Sequence, residues 1–178
     1  MGTRSFIGVI HEGKYKIAQY CQWDGYPEGQ GARVLDFLSH VDLKLFKEKL
    51  NNCRFIKDSE IRNMYVAAGD DPNNKSGFIS MEVGNRFSEM FPSLSRDTGA
   101  EVLSIVYESA NEVPLYNRED FIEDEVWCEF AYVINLDKET LHCYVNGKKV
   151  FAEYLLEELP TVEELSEACE KYYMTHNS

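Results

Sequence analysis

The chain has 178 residues, 44% hydrophobic and 13% aromatic, which is enough apolar surface for a folded core and too much for a disordered chain. Its 31 acidic against 18 basic side chains leave a formal charge of −13, which repels phosphate backbones and excludes ordinary nucleic-acid binding. No run approaches the ~18 apolar residues of a membrane span. The start, Met1-Gly2-Thr3-Arg4-Ser5-Phe6, holds no apolar signal core, and Phe6 stands where myristoylation needs Ser or Thr, so a cytoplasmic location is expected, in the host if phage-encoded.

In chain order, Phe6, Ile7, Val9 and Ile10 form a strand, Glu12-Gly13 a turn, and Tyr15, Ile17, Gln19 and Cys21 a second, alternating strand. Gly8 inside the first strand marks a bulge or a close approach. The glycine-dense stretch from Asp24 to Gly31 reads as irregular loop. Val34, Leu35, Phe37 and Leu38 then share a helix face, and Asp42 caps a short helix carrying Leu43, Leu45, Phe46 and Leu50. A third helix spans about Ser59 to Ala68, closed by Gly69. Asp70 to Gly77 is a loop, either a lid or a tolerated excursion. Residues 79–90 are helical up to Pro92, and Thr98 with Glu101 matches a capping box ahead of Val102, Leu103, Ile105 and Val106.

The last third returns to strands. Val126, Cys128, Phe130, Tyr132 and Ile134 alternate with their neighbours, Leu136 to Glu139 turn, and Leu141, Cys143 and Val145 continue. Asn146-Gly147 signals a type I′ turn into Lys148 to Phe151, and Thr161 with Glu164 opens a helix to Tyr173. The expected fold is α+β: one antiparallel sheet built from the N-terminal and C-terminal hairpins, helices packed mainly on one face, in a single domain over residues 1–178.

The richest chemistry lies in Gln19-Tyr20-Cys21-Gln22-Trp23-Asp24-Gly25-Tyr26-Pro27-Glu28-Gly29-Gln30-Gly31. Trp23 and Tyr26 offer faces for stacking on a base or sugar, and Gln22, Asp24 and Gln30 offer polar edges. The glycines suit close backbone approach to a ligand. Arg4, Arg96 and the helix start at Thr98 are candidates for holding phosphate. The competing readings are an elaborate turn for the loop and carboxylate pairs for the arginines. The loop is neither a Walker motif nor Gly-x-Gly-x-x-Gly.

Nothing in the sequence marks a catalytic residue, a metal site or a cofactor site. The five cysteines (Cys21, Cys53, Cys128, Cys143, Cys169) include no Cys-x-x-Cys, against a disulfide framework or zinc ribbon, although Cys128 and Cys143 could face each other across a hairpin. The four histidines lack ligand spacing, and Cys21 with His142 is a conceivable but unsupported dyad. An N-terminal nucleophile would require a cut beyond Gly2 to expose Thr3.

Charge is uneven. Residues 1–60 hold nine basic and eight acidic groups, whereas residues 111–178 hold five and sixteen. The acidic end suits either solubility or docking on a basic host protein through Glu157, Glu158, Glu163 and Glu164, and Glu123-Asp124-Glu125 reads as a solvated loop.

Met1-Gly2-Thr3-Arg4-Ser5, Lys16-Ile17-Ala18-Gln19-Tyr20 and Gln22-Trp23-Asp24-Gly25-Tyr26-Pro27-Glu28-Gly29-Gln30-Gly31 resemble a family of uncharacterised bacterial and bacteriophage proteins. Leu94-Ser95-Arg96-Asp97-Thr98-Gly99-Ala100 and Ala131-Tyr132-Val133-Ile134-Asn135-Leu136-Asp137 are similar to its second and third signatures. Cys21 replaces the small residue associated with that position. The resemblance implies no reaction. It implies a context, phage counter-defence, in which such factors sequester or cleave host nucleotide signals or block a host protein. It also implies a site built from the N-terminus, the Trp-Asp-Gly-Tyr loop and the Arg-Asp-Thr-Gly helix start. Three functions follow as expectations: a binding protein for a nucleotide-derived anionic ligand, an acidic protein that blocks a basic host or DNA-binding surface, and a hydrolase or phosphodiesterase acting on a nucleotide signal. A homo-oligomer sharing a site is compatible with each.

Overall fold

A computed structural model of the protein describes residues 2–176. Strands β1 (Ser5–His11) and β2 (Lys14–Cys21) form the expected hairpin, with Glu12 at φ 55° and Gly13 at φ 76° making its turn. Gly8 is a close approach: a Cβ there would lie 2.7 Å from the Phe6 ring and 2.8 Å from that of Tyr15. The register shift falls one residue later, between Val9 and Ile10.

The glycine-dense stretch is more ordered than its composition suggests. Pro27–Gly31 winds into a wide π-type turn that runs directly into α1 (Ala32–His40). Next come α2 (Leu43–Lys49), strand β3 (Cys53–Phe55), α3 (Asp58–Ala67), α4 (Met81–Met90), α5 (Glu101–Tyr107) and strand β4 (Val113–Leu115). Asp42 caps α2 as expected, accepting the N–H groups of Lys44 and Leu45. The chain ends in β5 (Phe130–Asn135), β6 (Thr140–Val145), β7 (Lys149–Leu155) and α6 (Val162–His176). Asn146 and Gly147 both take left-handed backbone, at φ 47° and 81°, but Val145 pairs with Lys149, so the connection runs over three residues rather than the two of the expected type I′ hairpin; Thr161 with Glu164 forms the expected capping box.

The fold is α+β. Five strands are ordered β2-β1-β5-β6-β7, antiparallel within each hairpin set and parallel where β1 meets β5. A separate parallel pair joins β3 to β4. Period-two alternation sends Ile7, Val9, Tyr132, Ile134, Leu141 and Cys143 to one face, where they pack with Val34, Leu35, Phe46, Val102, Leu103 and Leu165 from the helices. The opposite face carries Phe6, Ala18, Ala131 and Val133 under Ile122 and Cys128, so a 3₁₀ turn (Glu119–Glu123) and the loop after it cover that side. The acidic run there is more than solvated loop: Asp124 accepts the N–H groups of Val126 and Trp127, and Glu123 and Glu125 pair with Lys148 and Lys149.

All five cysteines are free thiols. Burial pushes Cys53 and Cys128 up to about 12. Among the described residues no helix is long and apolar enough to cross a membrane.

Candidate functional site

After β2 the chain reverses sharply. Asp24 adopts a left-handed backbone (φ 56°), and its carbonyl accepts the Gln30 N–H at 2.7 Å. Gly29 makes this closure fit, because a Cβ there would stand 2.1 Å from the Asp24 carbonyl oxygen. Gly25 lies against Thr3 and Arg4, where a Cβ would stand 2.8 Å from the Arg4 carbonyl oxygen; its N–H donates to the Thr3 carbonyl (2.9 Å), and its own carbonyl accepts the Tyr132 hydroxyl (2.8 Å). The glycines therefore bring the segment onto the protein's own backbone rather than onto a ligand, and the N–H groups of Gly25, Gly29 and Gln30 are all bonded internally.

Four of the eight sequence-derived candidates are committed to the fold. Gln30 is buried; its Oε1 accepts the Ala100 N–H (2.8 Å) and its Nε2 donates to the Trp23 carbonyl (3.1 Å). Thr98 is buried too and donates its hydroxyl to the Pro92 carbonyl, so it does not cap α5; Gln30 takes the N–H next to that helix start instead. Arg4 pairs with Glu129 at 3.5 Å and lies 4.4 Å over the Trp127 ring, the carboxylate-pair reading rather than a phosphate clamp. Gln22 accepts the Tyr20 hydroxyl, and its backbone N–H reaches the Arg96 carbonyl (3.1 Å). Trp23 keeps an exposed face, but its indole N–H is tied to Asp97 at 2.7 Å.

Asp24 and Tyr26 do come together in an open cleft of about 630 Å³, walled by residues 24–29, the first turns of α1 and the start of α5. The size suits a ligand pocket. Tyr26 is 40% exposed and donates to Asp24 Oδ1 (3.2 Å), a bond that raises its phenol pKa. Glu28, Arg33, Asp36 and Glu101, which nothing in the sequence marks as site residues, stand on the same walls. Glu28 accepts the Ser166 hydroxyl, Asp36 faces His40 at 3.6 Å, and Arg33 has no carboxylate within pairing distance among the described residues. Phe37 and Ala100 supply the apolar floor. A helical spacing signal existed for Arg33 and Asp36, but they stood on the polar side of an amphipathic helix, which every surface helix has.

Chemically, the carboxylates accept hydrogen bonds from hydroxyls and amines, Tyr26 offers a ring face, and Arg33 answers one negative charge. The Asp70–Gly77 loop supplies no wall of the cleft; it is closed on itself by Arg62–Asp70 (2.6 Å) and by Asn74 donating to the Phe78 carbonyl (2.8 Å). Cys21 and His142 are not assembled. Strands β1 and β5 stand between them, roughly 14 Å at three strand spacings. Burial also raises the Cys21 thiol pKa, its S–H donates to the Trp23 carbonyl, and His142 faces Glu153. Among the described residues no group of three or more His, Cys, Asp or Glu gathers at metal-binding distance.

No protein-family model, no curated protein and no solved structure matches the chain.

Proposed function

We propose that the protein binds a small nucleotide-derived ligand in the cleft beside Tyr26. The observation that carries this is the convergence of an exposed aromatic ring, one arginine with no carboxylate partner among the described residues, and several carboxylates on one concavity of about 630 Å³. In this reading Tyr26 stacks on the ring system. Asp24 and Glu101 accept from sugar hydroxyls or exocyclic amines, and Arg33 holds the single anionic group. Four carboxylates around one arginine disfavour a polyphosphate, so a nucleoside monophosphate or another ligand of low charge fits best. The counter-defence context implied by the resemblance makes host nucleotide signals the first compounds to test, with sequestration as the function. Titration calorimetry against mononucleotides and cyclic dinucleotides, with chromatography of the recovered ligand, separates a binder from a hydrolase. Tyr26→Ala and Arg33→Gln should each weaken Kd about tenfold or more, while Trp23→Ala should leave it within about threefold. The reverse pattern would place the ligand elsewhere.

A second reading rests on Glu157, Glu158 and Glu163, which are exposed and make no ion pair among the described residues. They offer a docking face for a basic protein.

A further inference from the structure

Of the seven arginines, Arg4, Arg54, Arg62 and Arg86 are paired with carboxylates, as expected in a chain carrying 31 acidic residues. Arg96 and Arg118 are not paired among the described residues, and the two line the same small cavity, of about 80 Å³, with Gln19, Tyr20, Ser95 and Tyr116. They reach it by different routes. The Arg96 carbonyl accepts the Gln22 N–H at 3.1 Å, and the Arg118 N–H donates to the Ala18 carbonyl at 3.0 Å. Both segments thus dock on the outer edge of β2, one on each side of Tyr20. By the two-residue period of a strand, the Tyr20 backbone groups point the same way as those of Ala18 and Gln22, outward into the gap between the two arginines.

Nearby acidic groups are turned to other partners. Asp97 accepts the Trp23 indole, and Glu119 accepts the Asn117 amide at 3.1 Å. The Arg118 guanidinium is set by stacking 4.6 Å over the Tyr116 ring. Burial raises the Tyr20 phenol pKa, Cys21 and Glu129 add to the rise, and Arg4 and Arg96 oppose it. We infer that this cavity is a seat for one compact oxyanion, a phosphate or phosphate monoester, held between Arg96 and Arg118. The volume is that of about two to three water molecules, enough for one tetrahedral oxyanion and too little for a nucleoside. Two guanidinium forks and an outward strand N–H match such a group. The seat is separate from the Tyr26 cleft and does not depend on it.

The test is titration calorimetry with inorganic phosphate and, in a second arm, adenosine monophosphate, at matched ionic strength against chloride. Phosphate should bind, and Arg96→Gln and Arg118→Gln should each weaken it roughly ten- to hundredfold. Competition by the nucleotide would assign the seat to a phosphate monoester, and binding of phosphate alone would assign it to the free ion. Tyr26→Ala should leave phosphate affinity unchanged, which keeps failure of this seat distinguishable from failure of the cleft. Circular dichroism confirms folding of each variant. If Arg118→Gln loses its fold with the Tyr116 stack, the exposed Arg96→Gln decides alone. No binding of phosphate to the native protein, or equal binding to native protein and Arg96→Gln, overturns the inference.

Discussion

At the residue scale, Gln30 joins what the sequence keeps far apart. One buried amide side chain satisfies the Ala100 N–H before α5 and the Trp23 carbonyl after β2. Gln30→Ala leaves the buried Ala100 N–H without its acceptor, at about 1–3 kcal/mol, and leaves the Trp23 carbonyl with the Cys21 S–H alone. It should lower Tm by several degrees in a thermal melt, and an unchanged Tm would show that Gln30 holds nothing. Gln30 stands out in the sequence but its purpose does not, because an amide carries the same donors and acceptors whether they face a ligand or the backbone. Tyr26 and Asp24 stand out in the sequence as the aromatic and acidic members of a glycine-rich turn, and both line the candidate cleft. Arg118 was not legible: only the docking of its segment on Ala18 places it opposite Arg96, a hundred residues of sequence having given no hint of that edge contact.

At the element scale, the legible signals are the local ones. Asp42, Thr161 and Asn146-Gly147 act within a few residues of themselves, so their chemistry is complete in the sequence. Thr98 failed as a cap because a distant side chain supplied the acceptor. Strands β3 and β4, three residues each, are too short to show a period, and the parallel seam joins segments whose sequence separation hides their pairing. That seam has its own clasp: Asp137, in the turn after β5, accepts the N–H groups of Glu12 and Gly13 at 2.8 Å each. The two bonds hold its carboxyl below the ordinary 3.8, so their stabilisation is present above that pH and is lost as pH falls through the lower native value. Asp137→Asn should therefore be less stable than the native chain at neutral pH, with the gap closing below 3.8 in denaturant titrations. A gap of constant size across that range would contradict the clasp.

At the scale of the whole molecule, a charge of −13 coexists with one cavity bearing two arginines, and one cleft bearing a third, that have no carboxylate partner among the described residues. Uniform acidity would disfavour anions everywhere, and local placement of cations offsets it over distances shorter than the ~8–10 Å screening length. The acidic face predicts salt-sensitive docking on a basic protein: Glu157, Glu158 and Glu163 replaced together by Gln should slow association and flatten its salt dependence in surface plasmon resonance. Identical kinetics for the native and triple-variant chains would leave those residues a solubility role. The architecture itself, two terminal hairpins sharing a sheet under helices, was legible from alternation and turn chemistry, whereas the cleft emerges only when α1 and α5 are packed side by side.

Calorimetry of the native protein, Tyr26→Ala and Arg33→Gln against a nucleotide panel decides whether the cleft beside Tyr26 binds a ligand. A low-charge nucleotide should bind the native chain and lose about tenfold or more in affinity with either variant. Binding that survives both substitutions, or a panel with no binder, would contradict it.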